Sequence, residues 1–279
     1  MTSDHPSYWR VFLTFARNSL VRDMTFRANF VIDVISSTAW VFMNLGFYVL
    51  IFRNTTMIGR GTGWGQYEFF SFLATGLLIN SIVQSFFMTN ADEYSELVRN
   101  GTLDFALLKP IDTQFLVSLQ RIEWSSLGNF FFGLGLLGYS LYRLHHVPGP
   151  LEALLYVVYV ICGIAILYSL MFTLSASSVW LGRNQTLYDF WFYITNFSRY
   201  PKEIYHGRFG TPLQWFFTFV IPVLIVVNVP ARMVTWPLHP ESTRDWLLPV
   251  FALPATVAFF LASRWVFNRA LLSYRSASS

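Results

Sequence analysis

The chain has 279 residues, of which 54% are hydrophobic, 19% aromatic and only 12% charged, and its net charge is +4. That charged share is about half the usual one for soluble domains, and 19 basic plus 15 acidic side chains are too few to clothe a globule of this size in water. A soluble enzyme, a disordered chain and a nucleic-acid binder are disfavoured on this count. A polytopic membrane protein, with a lipid bilayer around most of its surface, is expected.

Reading from the N-terminus, MTSDHPSYWR has no short apolar core with a cleavage site, so no cleaved signal peptide is expected. Residues 6–27 carry Arg10, Arg17, Arg22 and Arg27 too often for a span. Trp9, Phe12, Leu13, Ala16, Leu20 and Met24 recur at helical spacing, with Arg10, Arg17 and Asn18 largely on another face. This pattern suits a helix lying in the headgroup layer, or an amphipathic helix docked on a partner. Apolar spans follow at 30–52, 69–89, 122–142, 151–182 and 246–267, each long enough for a core of roughly 30 Å at ~1.5 Å per residue. Residues 184–232 hold two shorter apolar runs, 186–198 and 213–230, separated by Arg199-Tyr200-Pro201-Lys202. One of them crosses, which gives six crossings and both termini on one side.

The cations choose that side. Arg10, Arg17, Arg22 and Arg27 in the arm, Arg99, Lys109 and Arg121 in the 90–121 loop, and Arg264, Arg269 and Arg275 at the tail outnumber Arg53, Arg60 and Arg143 between them. The arm, the loop and the tail are therefore expected in the cytoplasm of an inner (plasma) membrane protein. The same rule would hold Arg199, Lys202 and Arg208 inside and make 213–230 the fifth span. The lone Cys162 excludes an intrachain disulfide and a cysteine metal cluster.

Motifs for chemistry are missing. Glycines 59, 61, 63 and 65 do not form a Walker loop and read as a flexible turn. No H-E-x-x-H or G-x-S-x-G occurs, and the adjacent His145 and His146 read as a loop pair at the membrane surface rather than a zinc site. The sequons at Asn54 and Asn184 matter only in a secretory pathway. Nothing supports an enzyme. Within the spans, Asn80 and Gln84 share one helical face with Ser81 beside them, while Asn44 lies mid-span in the first helix and Asn129 early in the third. These five line a substrate route or make hydrogen bonds between helices. Asp33 and Glu123 lie near the cytoplasmic ends, within reach of Arg27 and Arg121. The tryptophans 9, 40, 64, 124, 180, 236 and 246 fall near boundaries, as an aromatic belt does.

The stretch 91–116, ADEYSELVRNGTLDFALLKPIDTQFL, is the most informative. Asp92 to Arg99 can form a short helix with Glu93, Glu96 and Arg99 exposed, ended by Asn100-Gly101 in a left-handed stop. Leu103, Leu107 and Leu108 then present an apolar ridge, closed by Lys109-Pro110, and the pair Asp104 and Lys109 reads as a structural salt bridge. Such a segment is shaped to dock in a partner's groove, or packs on its own bundle.

The run LVRNGTLDFALLKPID resembles the loop of ABC-2 type transporter permeases, in particular those encoded as two unlike permeases with one ATPase; FSRYPKEIY…LQWFFTFVIPVLIVVNVPA, within 197–231, resembles the same subgroup. The resemblance implies one transmembrane permease domain over 1–279, all-α, with an N-terminal elbow helix at 6–27, six spans and a cytoplasmic coupling helix in 91–116. It implies 184–200 as the fifth span and 203–232 as a re-entrant hairpin before the last, against the charge rule, which late loops can violate. It also implies an ABC ATPase partner coupled through Glu96, Leu97, Arg99, Gly101, Leu103, Asp104, Leu107, Leu108, Lys109 and Pro110, and a second, unlike permease. This chain then binds no cofactor: ATP and Mg belong to the partner. Export of a hydrophobic, amphipathic or cationic compound follows. A secondary transporter or channel without ATP is the alternative, and a lipid-modifying membrane enzyme a more distant one. Neither the mid-span ionisable residues of the first nor the His/Asp/Glu cluster of the second is visible.

Overall fold

The computed structural model describes residues 7–59, 61–181, 185–236 and 243–274, the side chains of 185–188 and 243–245 excepted. Pro6, Arg60, the expected end of the fourth span at Gly182-Arg183, the sequon at Asn184 and the tail cation Arg275 lie outside these residues. Among the described residues every regular element is helical.

The amphipathic arm forms α1 (Tyr8–Thr25). Ser19 is buried on the bundle side, whereas Trp9, Leu13, Leu20 and Val21 point away from the protein. A single residue, Phe26, separates α1 from α2 (Arg27–Asn54), the first long apolar helix. α2 packs sparsely. Phe42 meets Phe132 edge-on halfway along, and Tyr48 and Phe52 pack on Phe69 and Phe70 at its far end, while Val31, Ile35, Met43, Phe47 and Leu50 remain exposed.

α3 (Gln66–Val83) is the centre of the bundle, with Phe69, Phe72, Ile79 and Val83 fully enclosed. It does not stop where the second span was expected to end. A π-helical turn, Gln84–Met88, leads into α4 (Thr89–Arg99), so one rod runs over 66–99. The separate short helix expected at Asp92–Arg99 is therefore the inner end of this rod. No proline or glycine interrupts 77–99, and the π turn absorbs one extra residue without breaking the helix. Asn100-Gly101 does stop it. Gly101 has φ of 67°, and Thr102 N–H and Gly101 N–H donate to Leu97 and Val98 carbonyls at 3.0 and 3.3 Å, a Schellman close that favours glycine at this position.

Two short helices follow, α5 (Asp104–Leu107) and α6 (Thr113–Leu119), and then α7 (Leu127–Arg143), which packs along α3. α7 starts later than the expected 122–142 because Arg121 and Ile122 are held out of the helix by bonds to α4 and α1, and a 3-10 turn, Trp124–Ser126, then leads into the helix. α8 (Pro150–Leu181) opens on proline in its first turn, where a missing N–H costs nothing, and Glu152 accepts from Gly149 N–H at 2.8 Å. α9 (Gln185–Asn196) continues into a 3-10 turn, Phe197–Arg199. α10 (Gly207–Trp215) runs through a second π turn to Val220, and α11 (Val223–Thr235) leaves it at 84°. The apolar run 213–230 is thus no straight helix. Ile221 is extended and Pro222 offers no N–H, which ends the first half. α11 is buried against α8 and α3, so closely that a Cβ on Gly163 of α8 would stand 2.8 Å from the Val226 carbonyl oxygen. α12 (Thr243–Ser273) packs along α8 and holds Pro249 and Pro254.

Among the described residues, four helices are long and apolar enough to cross a bilayer: Arg27–Asn54, Gln66–Arg99, Pro150–Leu181 and Trp246–Ser273. The bent pair Gly207–Val220 and Val223–Thr235 makes a fifth if counted as one. The other two expected spans are shorter. With 17 and 12 residues, α7 and α9 reach about 25 and 18 Å.

Candidate functional site

The connection 100–126 closes the end of the bundle called inner here, after the charge expectation. Asp112 organises it. Its carboxylate caps α6 by accepting from Phe115 N–H at 2.8 Å, and it takes a two-pronged ion pair from Arg264 of α12. Arg264 also donates to Gln114 Oε1 at 2.8 Å, and Gln114 Nε2 and Ser118 Oγ both meet the Tyr168 hydroxyl at 3.0 Å. The loop, α8 and α12 are joined through these five side chains. The Arg264 guanidinium holds the Asp112 carboxyl below the usual carboxylate range.

A second set of bonds fastens the loop to α1 and α4. Asn90 donates to the Arg121 carbonyl at 2.7 Å and accepts from Arg121 N–H at 3.0 Å. Ser19 accepts from Ile122 N–H, also at 3.0 Å, and Ser85 exchanges bonds with Glu123 backbone. Arg121 pairs with Glu93, which Gln120 also reaches, so Glu93 is half-buried rather than exposed, and the pairing of Arg121 with Glu123 does not form. Glu123 accepts from Thr89 instead, and Arg27 donates to the Met24 carbonyl rather than to Asp33. Glu96 and Arg99 do pair, at 2.5 Å on the surface.

The expected apolar ridge divides. Leu103 is fully buried and anchors the loop, while Phe105 (72%) and Leu108 (81%) stand exposed, with Leu107, Lys109 and Pro110 beside them. Leu97 is half-buried and Asp104 lies near Tyr274. A groove of about 690 Å³ separates this tip from α1, between Phe15, Arg22, Leu97, Phe105 and Lys109. Beside it, a 210 Å³ cleft at the α1–α2 joint collects Arg22, Asp23, Asp33 and Glu123.

The five polar residues expected on a substrate route are not gathered. Asn44, Asn80 and Ser81 each donate to a carbonyl one turn back in their own helix, at 2.5–2.9 Å. Gln84 is exposed, Asn129 half-buried, and neither the groove nor the cleft involves any of the five. The Asn44 and Asn80 amides and the Ser81 hydroxyl thus donate within their own helices, which is the cheapest solution in an apolar medium.

At the opposite end the glycine-rich turn is an ordered element. Gly59, Gly61 and Gly63 take φ of 70–78°, Ile58 N–H bonds the Trp64 carbonyl at 3.0 Å, and Trp64 is fully buried rather than part of an interfacial belt. Its indole lies edge-on to Trp236 and Phe72 and donates to Glu203 at 2.9 Å. Glu203 also receives Arg232 at 2.5 Å, and Asn228 accepts from Lys202 N–H. Residues 199–205 thus sit at the α2–α3 end of the bundle.

The chain matches the model of the ABC-2 family transporter protein over residues 38–278. It belongs to the ABC-2 transporter family. No curated protein and no solved structure matches it. Membership makes this all-helical chain a multi-pass membrane protein and the permease component of an ABC transporter, a family whose permeases work in lipid with an ABC ATPase as partner. In this ABC-2 permease, Asp112, Arg264, Phe105, Trp64 and Glu203 were not singled out by motif. Two signals point to some of them. Asp112 precedes Thr-Gln-Phe as helix caps do, and Arg264 is a cation inside an apolar helix.

Proposed function

We propose that this chain is the membrane subunit of an ATP-driven exporter of a hydrophobic, amphipathic or cationic compound, with ATP and Mg held by a separate ATPase. The observation that carries the reading is the tip at 105–108: two large apolar side chains stand in solvent on a loop fixed to the bundle by Leu103 below and by Asp112–Arg264 behind. Exposed apolar anchors on a rigid support mark a protein-binding surface. The rod 66–99 then acts as the lever between that surface and the centre of the bundle.

Six crossings remain the proposed topology, with α7 and α9 among them and both termini in the cytoplasm of an inner membrane. Short spans are accommodated by local thinning and by packing against longer neighbours. The bond between Glu203 and Trp64 supports 184–200 as the fifth span and 203–232 as a hairpin in the outer leaflet. A cysteine at Lys202 labelled from the outer face is the expected result, and labelling from the inner face alone refutes this topology. The sparsely packed α2 and the Asn80/Gln84 face of α3 are proposed to meet a second, unlike permease, the pair enclosing the path.

The function is tested by co-purification with an ATPase encoded in an adjacent reading frame. Leu108→Asp is expected to reduce recovery of the ATPase at least tenfold while the permease keeps its thermal midpoint within about 2 °C, as surface changes do. Undiminished recovery and ATPase stimulation in that variant would sink the role of the tip.

A further inference from the structure

α2 is loosely packed along its length yet fastened at both ends. Its inner end continues through Phe26 into α1, which Ser19 and Asp23 tie to the backbone of Ile122 and Trp124. Its outer end runs into the 55–65 turn. Among its described residues the turn carries its own bonds: Thr62 donates to the Ile58 carbonyl at 2.5 Å, and Ile58 N–H bonds the Trp64 carbonyl across it. A turn with its own bonds passes on a displacement that a loose linker would absorb. The displacement arrives at Trp64, whose buried indole N–H has Glu203 as its acceptor, 139 residues away in sequence.

Glu203 is itself bound to Arg232 of α11, and Arg232 lies over the ring of Trp236. Through this carboxylate the α2–α3 turn and the buried half of the bent pair form one body. The other half, α10, is different. Phe209, Leu213 and Trp215 are exposed, α10 itself is attached through Gln214 to the Lys202 carbonyl, and the π turn beyond it through Phe217 stacked on Phe197 at 4.1 Å and Phe219 edge-on to Phe251 of α12 at 5.1 Å. The 84° break at Ile221-Pro222 lies between a fixed half and a lightly held one.

We propose that Glu203 is a positioning residue that fastens the first span to the bent pair, so that a movement of α2 driven from the inner end changes how α10 is held at the outer end. This rests on the exporter reading above. Neither charge balance nor hydropathy suggests it, because Glu203 stands in sequence beside Lys202 as an ordinary loop pair.

The test uses the co-expressed permease–ATPase complex in lipid nanodiscs, where both faces are accessible, with Cys162→Ser and Leu213→Cys as background and a hydrophilic maleimide as probe. With the fastening intact, the labelling rate at position 213 is expected to change at least fivefold between nucleotide-free and vanadate-trapped states. Glu203→Gln, and Trp64→Phe, which removes the N–H together with part of the buried ring system, are each expected to bring that ratio below twofold with the ATPase still bound. The double variant should be no worse than either single one, because both act through one contact. Retention of the fivefold ratio in both single variants overturns the proposal, as do independent losses that multiply in the double variant. A ratio of one already in the background, with the ATPase bound, overturns the exporter reading itself and the proposal with it.

Discussion

Gly163→Ala isolates the closest approach in the bundle. The added methyl group would stand 2.8 Å from the Val226 carbonyl oxygen, 3.1 Å from Ile79 Cδ1 and 3.2 Å from Val226 Cγ1. Ordinary carbon–oxygen contacts lie near 3.3 Å or beyond, so α11 must retreat from α8 by about half an ångström, and the obstacle is backbone rather than a side chain that can rotate. Overpacking of this kind costs ~1–3 kcal/mol. The alanine also gains ~1 kcal/mol of helix propensity, and a control removes that gain from the comparison. Gly135, in the interior of α7, has nothing within 4 Å of its would-be Cβ, so Gly135→Ala collects the propensity without the clash. The difference between the two variants is then the clash alone, ~1–3 kcal/mol, or about 2–12 °C in thermal midpoint at ~2–4 °C per kcal/mol. Thermal unfolding of the purified permease, followed by tryptophan fluorescence in detergent, measures it. Equal midpoints for the two variants would refute the reasoning, and with it the claim that α8 and α11 are in backbone contact.

Two further outcomes follow from the inner loop. Because Arg264 holds the Asp112 carboxyl below the ordinary value of about 3.9, the native state keeps it ionised where the unfolded chain takes up a proton; the stabilisation is present above the unfolded value and is lost as pH falls through the folded one. The thermal midpoint of the wild type should therefore exceed that of Asp112→Asn, which keeps the α6 cap, by a constant amount from pH 8 to about 5. The gap should close below about 4; a gap that widens in acid is the contrary result. Gly101→Ala places a Cβ at φ of 67° and is expected to cost ~1–2 kcal/mol, read as a lower midpoint, whereas an unchanged midpoint would show that Asn100-Gly101 does not set the end of the rod.

Helices were legible where the apolar run was long and uninterrupted, as in 30–52, 151–182 and 246–267. Their ends were less so. Composition cannot reveal that Arg121 and Ile122 are held away from α7 by Asn90 and Ser19, residues that lie 31 and 103 positions from their bonding partners. The stretch 91–116 stood out by its residues, yet the division between buried Leu103 and exposed Phe105 and Leu108 needs the direction of each side chain, which a four-residue helix does not disclose by periodicity. The polar residues of the spans show a related point. An amide side chain in an apolar helix advertises a partner, but Asn44 and Asn80 find it in their own backbone. Trp64 and Glu203 could not be paired from sequence at all, and the glycines before Trp64, read as flexible, supply the left-handed geometry that delivers it.

The π turn at Gln84–Met88 bears on how side chains are counted along the longest rod. One inserted residue rotates everything beyond it by about 100° relative to an unbroken helix. Faces projected from Asn80 and Gln84 toward the inner end are therefore out of phase with the faces that Glu93, Tyr94 and Leu97 present. Removing one residue from 84–88 would leave a smooth helix and an intact apolar run while turning the lever that carries the inner loop by a quarter turn or more. Relatives with a single-residue gap here would present the 100–126 connection at a different angle before they differed in any of its residues.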